Sequence, residues 1–258
     1  MAKKTTYRQK FDQQNGGAGD ASPRKERVPI NPNIQLPFVE GKVILIDKPL
    51  HWTSFDMVRK LRGILQIKKI GHAGTLDPLA TGLLIICTGK FTKKINEYMA
   101  SEKEYTGTIT LGATTPTYDL ESIPENFRPF DTVTLEQIQQ ACKLLTGDIL
   151  QAPPVYSAIK KDGVASYELA RRGEAVALAP RPIHIEVFEI TTFEAGIAHF
   201  RVVCSTGTYI RSLAHDLGQI LGCGAHLSAL RRTRIGEFWA NDALSPDGFA
   251  ASLQMPTI

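Results

Sequence analysis

Gly71-His72-Ala73-Gly74-Thr75-Leu76-Asp77-Pro78-Leu79-Ala80-Thr81-Gly82 runs without a break into Leu83-Leu84-Ile85-Ile86-Cys87. Three glycines and a proline in twelve residues specify a loop whose backbone can come close to a ligand. The five apolar residues that follow read as a buried strand. One carboxylate and one imidazole therefore stand at the edge of a rigid sheet, where side chains are presented rather than packed away. Asp77 has two readings at this level. It is a candidate catalytic carboxylate, or it is the Asp of an Asp-Pro turn, because such side chains commonly bond their own backbone.

Outward from this block, Val43-Ile44-Leu45-Ile46 closed by Asp47-Lys48-Pro49 predicts a second buried strand, with structure beginning at Gly41. Thr53 or Ser54 can cap a helix to about Gln66, striped by Phe55, Val58, Leu61, Ile64 and Leu65. Tyr105 to Leu111 carries β-branched alternation and reads as a strand. Thr134 opens a helix through Leu135, Ile138, Ala141, Leu144 and Leu145, with Gly147 as its stop. Ile183 to Phe193 and Ile197 to Cys204 alternate around Ala195-Gly196, the pattern of a long hairpin. Thr208 is expected to cap a helix of Ile210, Leu213, Ala214, Leu217, Ile220 and Leu221, ending at Gly222. Residues 151–182, interrupted by Pro153, Pro154, Pro180 and Pro182, read as an insertion with one short helix near Tyr167 to Arg172. Strands and helices interleave with a hairpin, so the expected class is α+β, a mixed and mostly antiparallel sheet flanked by helices.

The 258 residues, 43% apolar and 22% charged, suit one large domain or two small ones. No run nears the roughly 18 apolar residues of a membrane helix. The basic, polar N-terminus lacks the apolar core of a secretory signal. Four scattered cysteines (Cys87, Cys142, Cys204, Cys223) form no C-x-x-C pair, so a reducing cytoplasm is the expected compartment. The net charge of +4 belongs entirely to residues 1–30, which hold seven basic and three acidic side chains. The rest is balanced, 23 against 23. Residues 1–35 read as a disordered basic tail. It is either a solubilising leader or a non-specific phosphate-attracting arm.

Several chemistries fail on spacing. Thr88-Gly89-Lys90 lacks the rest of a Walker sequence, since six residues separate Gly82 from Gly89 and Phe91 follows the lysine. No G-x-G-x-x-G fingerprint occurs. His72 and His215-Asp216 have no partner ligands at a recurring spacing, so no metal is expected. Two other constellations remain. Ser205-Thr206-Gly207-Thr208-Tyr209-Ile210-Arg211 brings a ring and a guanidinium into the first turn of a helix. There Arg211 would favour the ionised form of a nearby carboxylate and Tyr209 could stack on a planar ring, or both could be ordinary packing residues. Ala229-Leu230-Arg231-Arg232-Thr233-Arg234 places Arg232 and Arg234 on one face of a strand, suited to phosphate contact or simply solvated.

Taken in order, six elements resemble the TruB family of bacterial tRNA pseudouridine synthases. They are Ile46-Asp47-Lys48-Pro49, the Gly71–Gly82 block, Glu104-Tyr105, Pro154-x-Tyr156-Ser157-Ala158-x-Lys160, Gly207-Thr208-Tyr209-Ile210-Arg211, and Gly222-Cys223-Gly224-Ala225-His226-Leu227-x-x-Leu230-Arg231-Arg232. The resemblance spans residues 41 to 240. It implies the pseudouridine synthase fold and isomerisation of uridine 55 in the tRNA T loop, with base flipping and no cofactor. By that likeness Asp77 is the nucleophile, attacking either the uracil ring or the sugar, and Arg211 its partner. Tyr105 stacks on the flipped base and is a candidate to help remove the ring proton. His72 occupies the space left by extruded bases, Tyr209 and Leu230 line the uracil pocket, and Lys48 and Pro49 shape its floor. Residues 151–182, with Lys160, Lys161, Arg171 and Arg172, are expected to close over the RNA stem-loop.

The domain reading is a tail over 1–35, a catalytic domain over 36–245 and a C-terminal tail over 246–258. It lacks the small C-terminal RNA-binding domain common in the family, which argues against the guide-RNA relatives. The expected partner is the tRNA T stem-loop, with no membrane, no protein partner and a monomeric enzyme. A non-catalytic tRNA-binding or tRNA-folding module is the alternative. Asp77 weighs against it, because a carboxylate pressed against RNA repels phosphates. A metal-dependent nuclease is disfavoured by the missing carboxylate cluster.

Overall fold

A computed structural model describes residues 30–254, apart from 158, 162 and 175–177. The tail over residues 1–29 therefore lies outside the described residues. The end of that segment does not: Ile30 packs on the core and Pro32–Glu40 forms helix α1, capped by the Asn31 side chain, so structure begins before Gly41.

The chain continues through β1 (Val43–Lys48), α2 (Ser54–Leu65), β2 (Ile70–Ala73), β3 (Ala80–Thr88), a 3-10 turn (Gly89–Lys94), α3 (Ile95–Ala100) and β4 (Lys103–Leu111). Then follow α4 (Leu135–Leu144), β5 (Gly147–Gln151), the short pair β6 (Lys160–Lys161) and β7 (Val164–Ala165), and α5 (Ser166–Arg171). The long hairpin β8 (Arg181–Glu194) and β9 (Ile197–Cys204) leads to α6 (Ile210–Ile220), β10 (Ala225–Ile235), β11 (Phe238–Trp239) and α7 (Pro246–Ser252). The main sheet runs β1-β3-β10-β4-β9-β8-β5, with β2 added to β3 and β11 to β10. Every pairing is antiparallel except β3 with β10. The α+β expectation is met.

Local chemistry accounts for most boundaries. Thr53 caps α2 in a reciprocal box with Asp56, and Thr134 does the same for α4 with Gln137. Ala195 and Gly196 both take positive φ, the two-residue turn that matches the twist of a hairpin. The helix after residue 208 is capped differently from its sequence reading. Tyr209, not Thr208, is the N-cap, and Thr208 Oγ1 turns back to Ser205 O. The buried Gln151 side chain accepts from Tyr209 N at 2.8 Å and donates to Tyr209 O at 3.1 Å. Residues 246–252, read as tail, form α7, whose Phe249 is buried with Met57, Leu61 and Leu65.

Two features position the site. β10 pairs with residues 80–82 of β3 and β2 with residues 85–88, so they occupy successive stretches of β3. The loop 74–79 rises from the place where one partner gives way to the other. Gly82, at φ +98, sits against the Arg232 backbone, where an added Cβ would lie 2.3 Å from Arg232 O. A large cluster from β4, β8, β9 and β10 packs on α4 and α6. Around β1, a second cluster packs on α2 and α7.

Candidate active site

Asp77 stands in a cleft of about 590 Å³. Its loop is fixed from three sides. Ser54 Oγ, freed because Thr53 does the capping, accepts from Leu76 N at 2.8 Å and donates to Leu76 O at 3.3 Å. His51 N donates to Pro78 O at 2.8 Å. Beneath the loop, the Arg232 guanidinium donates to Leu83 O at 2.8 Å, Gly74 O at 3.3 Å and Thr75 O at 3.4 Å. Arg232 is 1% exposed. The phosphate-contact and solvated readings of this residue are therefore both corrected: its charge goes into holding the loop. Its pairing on a common face with Arg234 is also broken, by a bulge in β10 between them.

Arg211 reaches Asp77 from the first turn of α6, Nε to Oδ2 at 2.9 Å and Nη2 to Oδ1 at 3.3 Å. Nη2 to Oδ1 is a hydrogen bond, while Nε makes a close ion-pair contact with Oδ2 and no hydrogen bond, so charge attraction and one hydrogen bond hold the carboxylate. Arg211 is 5% exposed, and its guanidinium also donates to Thr117 O and Tyr156 O at 3.1 to 3.2 Å. Asp119 Oδ2 lies 3.6 Å from Nε. Burial works against the Arg211 charge, but Asp77, Asp119 and Glu121 outweigh it and its pKa is raised. Burial pushes the Asp119 carboxyl up, against the pull of Arg211. Asp77, by contrast, keeps 36% of its side chain exposed. It is the reachable member of the network.

Tyr105, Tyr209, Leu230 and Arg211 all line the same cleft as Asp77. Burial raises the Tyr105 pKa, and the Arg232 charge pulls against it. The Arg181 guanidinium lies 4.9 Å over the Tyr209 ring and donates to Gly207 O. Lys48, Pro49 and His72 lie outside the lining. Lys48 is fully buried, donating to Pro49 O at 3.0 Å and Trp52 O at 2.7 Å, so it braces the turn that carries Thr53 into the cleft. Burial lowers its pKa to about 8. His72 is half-buried on β2, and burial lowers its pKa. From residues 151–182, Tyr156, Tyr167, Arg171 and Arg181 reach the cleft, whereas the side chains of Lys160 and Lys161 lie outside the described set. A second hollow of about 500 Å³ around Phe127 and Phe130 carries no carboxylate. Among the described residues no three His, Cys, Asp or Glu side chains gather as a metal site requires, and no helix is long and apolar enough to cross a membrane.

The sequence reading missed Asp119, Gln151 and the loop-holding role of Ser54. Asp119 had a signal: a polar run, Thr114-Thr115-Pro116-Thr117-Tyr118, follows the strand that carries Tyr105 and ends on a carboxylate.

A fold of this kind occurs in solved structures. In a crystal structure of a Cbf5-Nop10-Gar1 complex the match has a TM-score of 0.65 and 30% identity, covering 90% of this chain and 61% of that one. An H/ACA ribonucleoprotein bound to a substrate RNA containing 2′-deoxyuridine matches at TM-score 0.62 and 28% identity, covering 90% and 60%. This chain thus spans about three fifths of those proteins. The architecture is the pseudouridine synthase fold. The model for the TruB family pseudouridylate synthase N-terminal domain matches residues 62–210, and that for the tRNA pseudouridylate synthase B C-terminal domain matches residues 211–254. The tRNA pseudouridine synthase B of Flavobacterium johnsoniae is 52% identical over 84% of this chain and 98% of that protein. That of Parabacteroides distasonis is 47% identical over 82% and 93%. The chain belongs to the TruB family of pseudouridylate synthases. The C-terminal match falls on α6, β10 and α7, which are parts of the same sheet-and-helix body as the rest.

Proposed function

We propose that this protein converts uridine 55 in the tRNA T loop to pseudouridine, with Asp77 as nucleophile and no cofactor. The observation that carries the reading is the partly exposed Asp77 carboxylate, held by an ion pair and a hydrogen bond to buried Arg211 in a cleft that Tyr105, Tyr209 and Leu230 also line. Relatives named tRNA pseudouridine synthase B support the substrate.

The reaction breaks the bond from C1′ to N1 and makes one from C1′ to C5. A proton leaves C5 and N1 gains one, so composition is unchanged and no co-reactant is needed. Asp77 attacks the ring or the sugar and is released when the new bond has formed. Arg211 presents the carboxylate in one orientation, and Asp119 with the Thr117 and Tyr156 carbonyls fixes Arg211 in turn. Uracil must leave its stack to reach this depth, so flat and apolar surfaces must receive it. Tyr105, Tyr209 and Leu230 supply them. With its pKa raised, Tyr105 rests as a phenol, which suits stacking and makes it a poor resting base for the C5 proton. His72, uncharged near neutrality, fills the space left in the RNA loop. Lys48 and Pro49 support the pocket from behind, and residues 151–182 close over the stem-loop. Acting as a monomer on cytoplasmic tRNA belongs to the same reading.

The test is to incubate wild type and Asp77→Asn with unmodified tRNA and map pseudouridine. Product at position 55 is expected for wild type and none for the variant, with RNA binding retained by both. Product from the variant, or none from wild type, refutes the proposal.

A further inference from the structure

Tyr118 and His215 lie outside the cleft lining, yet their rings stack with centroids 3.9 Å apart and planes 14° from parallel. His215 serves here through its face and not its nitrogens. Among the described residues its Nδ1 is buried without a hydrogen-bond partner, and burial lowers its pKa, so the ring is uncharged near neutrality. Flat rings in contact attract without any proton.

The Tyr118 backbone is unusual. Its φ is +63°, a region that bulky side chains rarely enter and keep only where the surroundings hold them there. Tyr118 N donates to Thr115 O at 3.1 Å, and Leu227 N on β10 donates to Tyr118 O at 2.9 Å. The left-handed step turns the chain so that the residues on both sides meet one guanidinium. Arg211 Nη1 donates to Thr117 O at 3.1 Å, and Asp119 Oδ2 lies 3.6 Å from Arg211 Nε. Arg211 and His215 are four residues apart on α6, on one face and about 6 Å apart along its axis. Segment 117–119 is thus joined to α6 at two levels. The polar contacts at Arg211 act as a pivot, and the stack one turn further along stops rotation about it.

We propose that Tyr118 and His215 are positioning residues for the bond exchange: their stack locks segment 117–119 against α6, and the segment in turn fixes Arg211 behind Asp77. This rests on the function proposed above and deepens it. Neither ring touches the uridine, so the pair governs the rate of the chemical step and not the affinity for RNA.

The test compares His215→Ala, His215→Phe, Tyr118→Gly and the double variant His215→Ala with Tyr118→Gly, each checked for its fold by circular dichroism. Alanine suits a helix, and glycine accepts the positive φ, so each single variant removes a ring without adding strain. Release of tritium from tRNA labelled at uridine C5 counts isomerisation at any uridine, and it is followed in single turnover at saturating tRNA. His215→Ala and Tyr118→Gly should each slow it about 10- to 100-fold, with the dissociation constant for tRNA unchanged. His215→Phe, which keeps a flat ring, should restore the rate to within about threefold of wild type. The double variant should be no slower than the slower single one, because both lose the same contact. Wild-type rates in the single variants overturn the proposal. So does His215→Phe as slow as His215→Ala, which would assign the role to the imidazole nitrogens. Tritium release from wild type without product at position 55 would strike the proposed substrate and leave this comparison standing. Should wild type release none, crystal structures of wild type and Tyr118→Gly decide: Thr117 O and Asp119 Oδ2 should shift from Arg211 by about 1 Å, and unchanged contacts refute the lock.

Discussion

Changing Arg232 to lysine separates two opposed accounts of the same residue. In the structure its guanidinium spans Leu83 O on β3 and the Gly74 and Thr75 carbonyls of the loop that carries Asp77. An ammonium keeps the charge but donates from a single point. It cannot serve a strand carbonyl and two loop carbonyls at once, so one or two buried acceptors lose their partners. At about 1–3 kcal/mol for each, the expected loss is about 1–6 kcal/mol, a sizeable part of the roughly 5–15 kcal/mol that holds a domain together. Urea unfolding followed by circular dichroism should show a lower midpoint at an unchanged m-value. Single-turnover pseudouridine formation at saturating tRNA should fall about 10- to 100-fold, because the Asp77 loop is no longer held to its productive position. The salt dependence of tRNA affinity should not move. The reasoning fails if Arg232→Lys leaves stability within about 0.5 kcal/mol of wild type and flattens the salt slope by about 0.9. That pair of results would return Arg232 to the role of a phosphate contact.

Two further outcomes follow from single side chains. Ser54→Ala strips the partner from the buried Leu76 N–H next to Asp77; a loss of about 1–3 kcal/mol in urea unfolding, with kcat reduced and KM for tRNA little changed, is expected. Asp216, on α6, has its pKa raised by burial from 3.8 to about 6. Because the folded state binds the proton more tightly than the unfolded chain, this residue costs stability as pH rises from about 4 to 6. Asp216→Asn should therefore stabilise the protein by about 1–2 kcal/mol at pH 7, allowing for partial solvent screening. It should have no such effect at pH 3.5, as thermal unfolding at the two pH values will show.

The legible parts of the fold are those in which a short segment carries its own instruction. Thr134 with Gln137, Thr53 with Asp56, and Ala195-Gly196 each encode a boundary through bonds or dihedrals within a few residues. Where the instruction comes from elsewhere, reading along the chain fails. Thr208 looks like a cap, but Gln151 from β5 satisfies Tyr209 and displaces that role. Residues 246–252 look like a tail because only one large apolar side chain among them, Phe249, finds the core, and the cluster it joins is built from α1, α2 and β1.

The candidate site divides the same way. Motifs already marked Asp77, Tyr105, Tyr209, Arg211 and Leu230, and the fold brings all five to one cleft. What those motifs leave open is the state of each charge. Arg232 lies between Arg231 and Thr233 and Arg211 between Ile210 and Ser212, and neither setting says that one supports a loop while the other holds a carboxylate.

Periodicity, turn chemistry and capping were sufficient in the sequence to define an α+β chain with a glycine-rich acidic loop before a buried strand, since these depend on neighbours within about four residues. Which arginine is buried and that Asp119 stands behind Arg211 were decided only by tertiary structure. Both depend on desolvation and on contacts between segments roughly 90 to 160 residues apart, and no local pattern encodes either quantity.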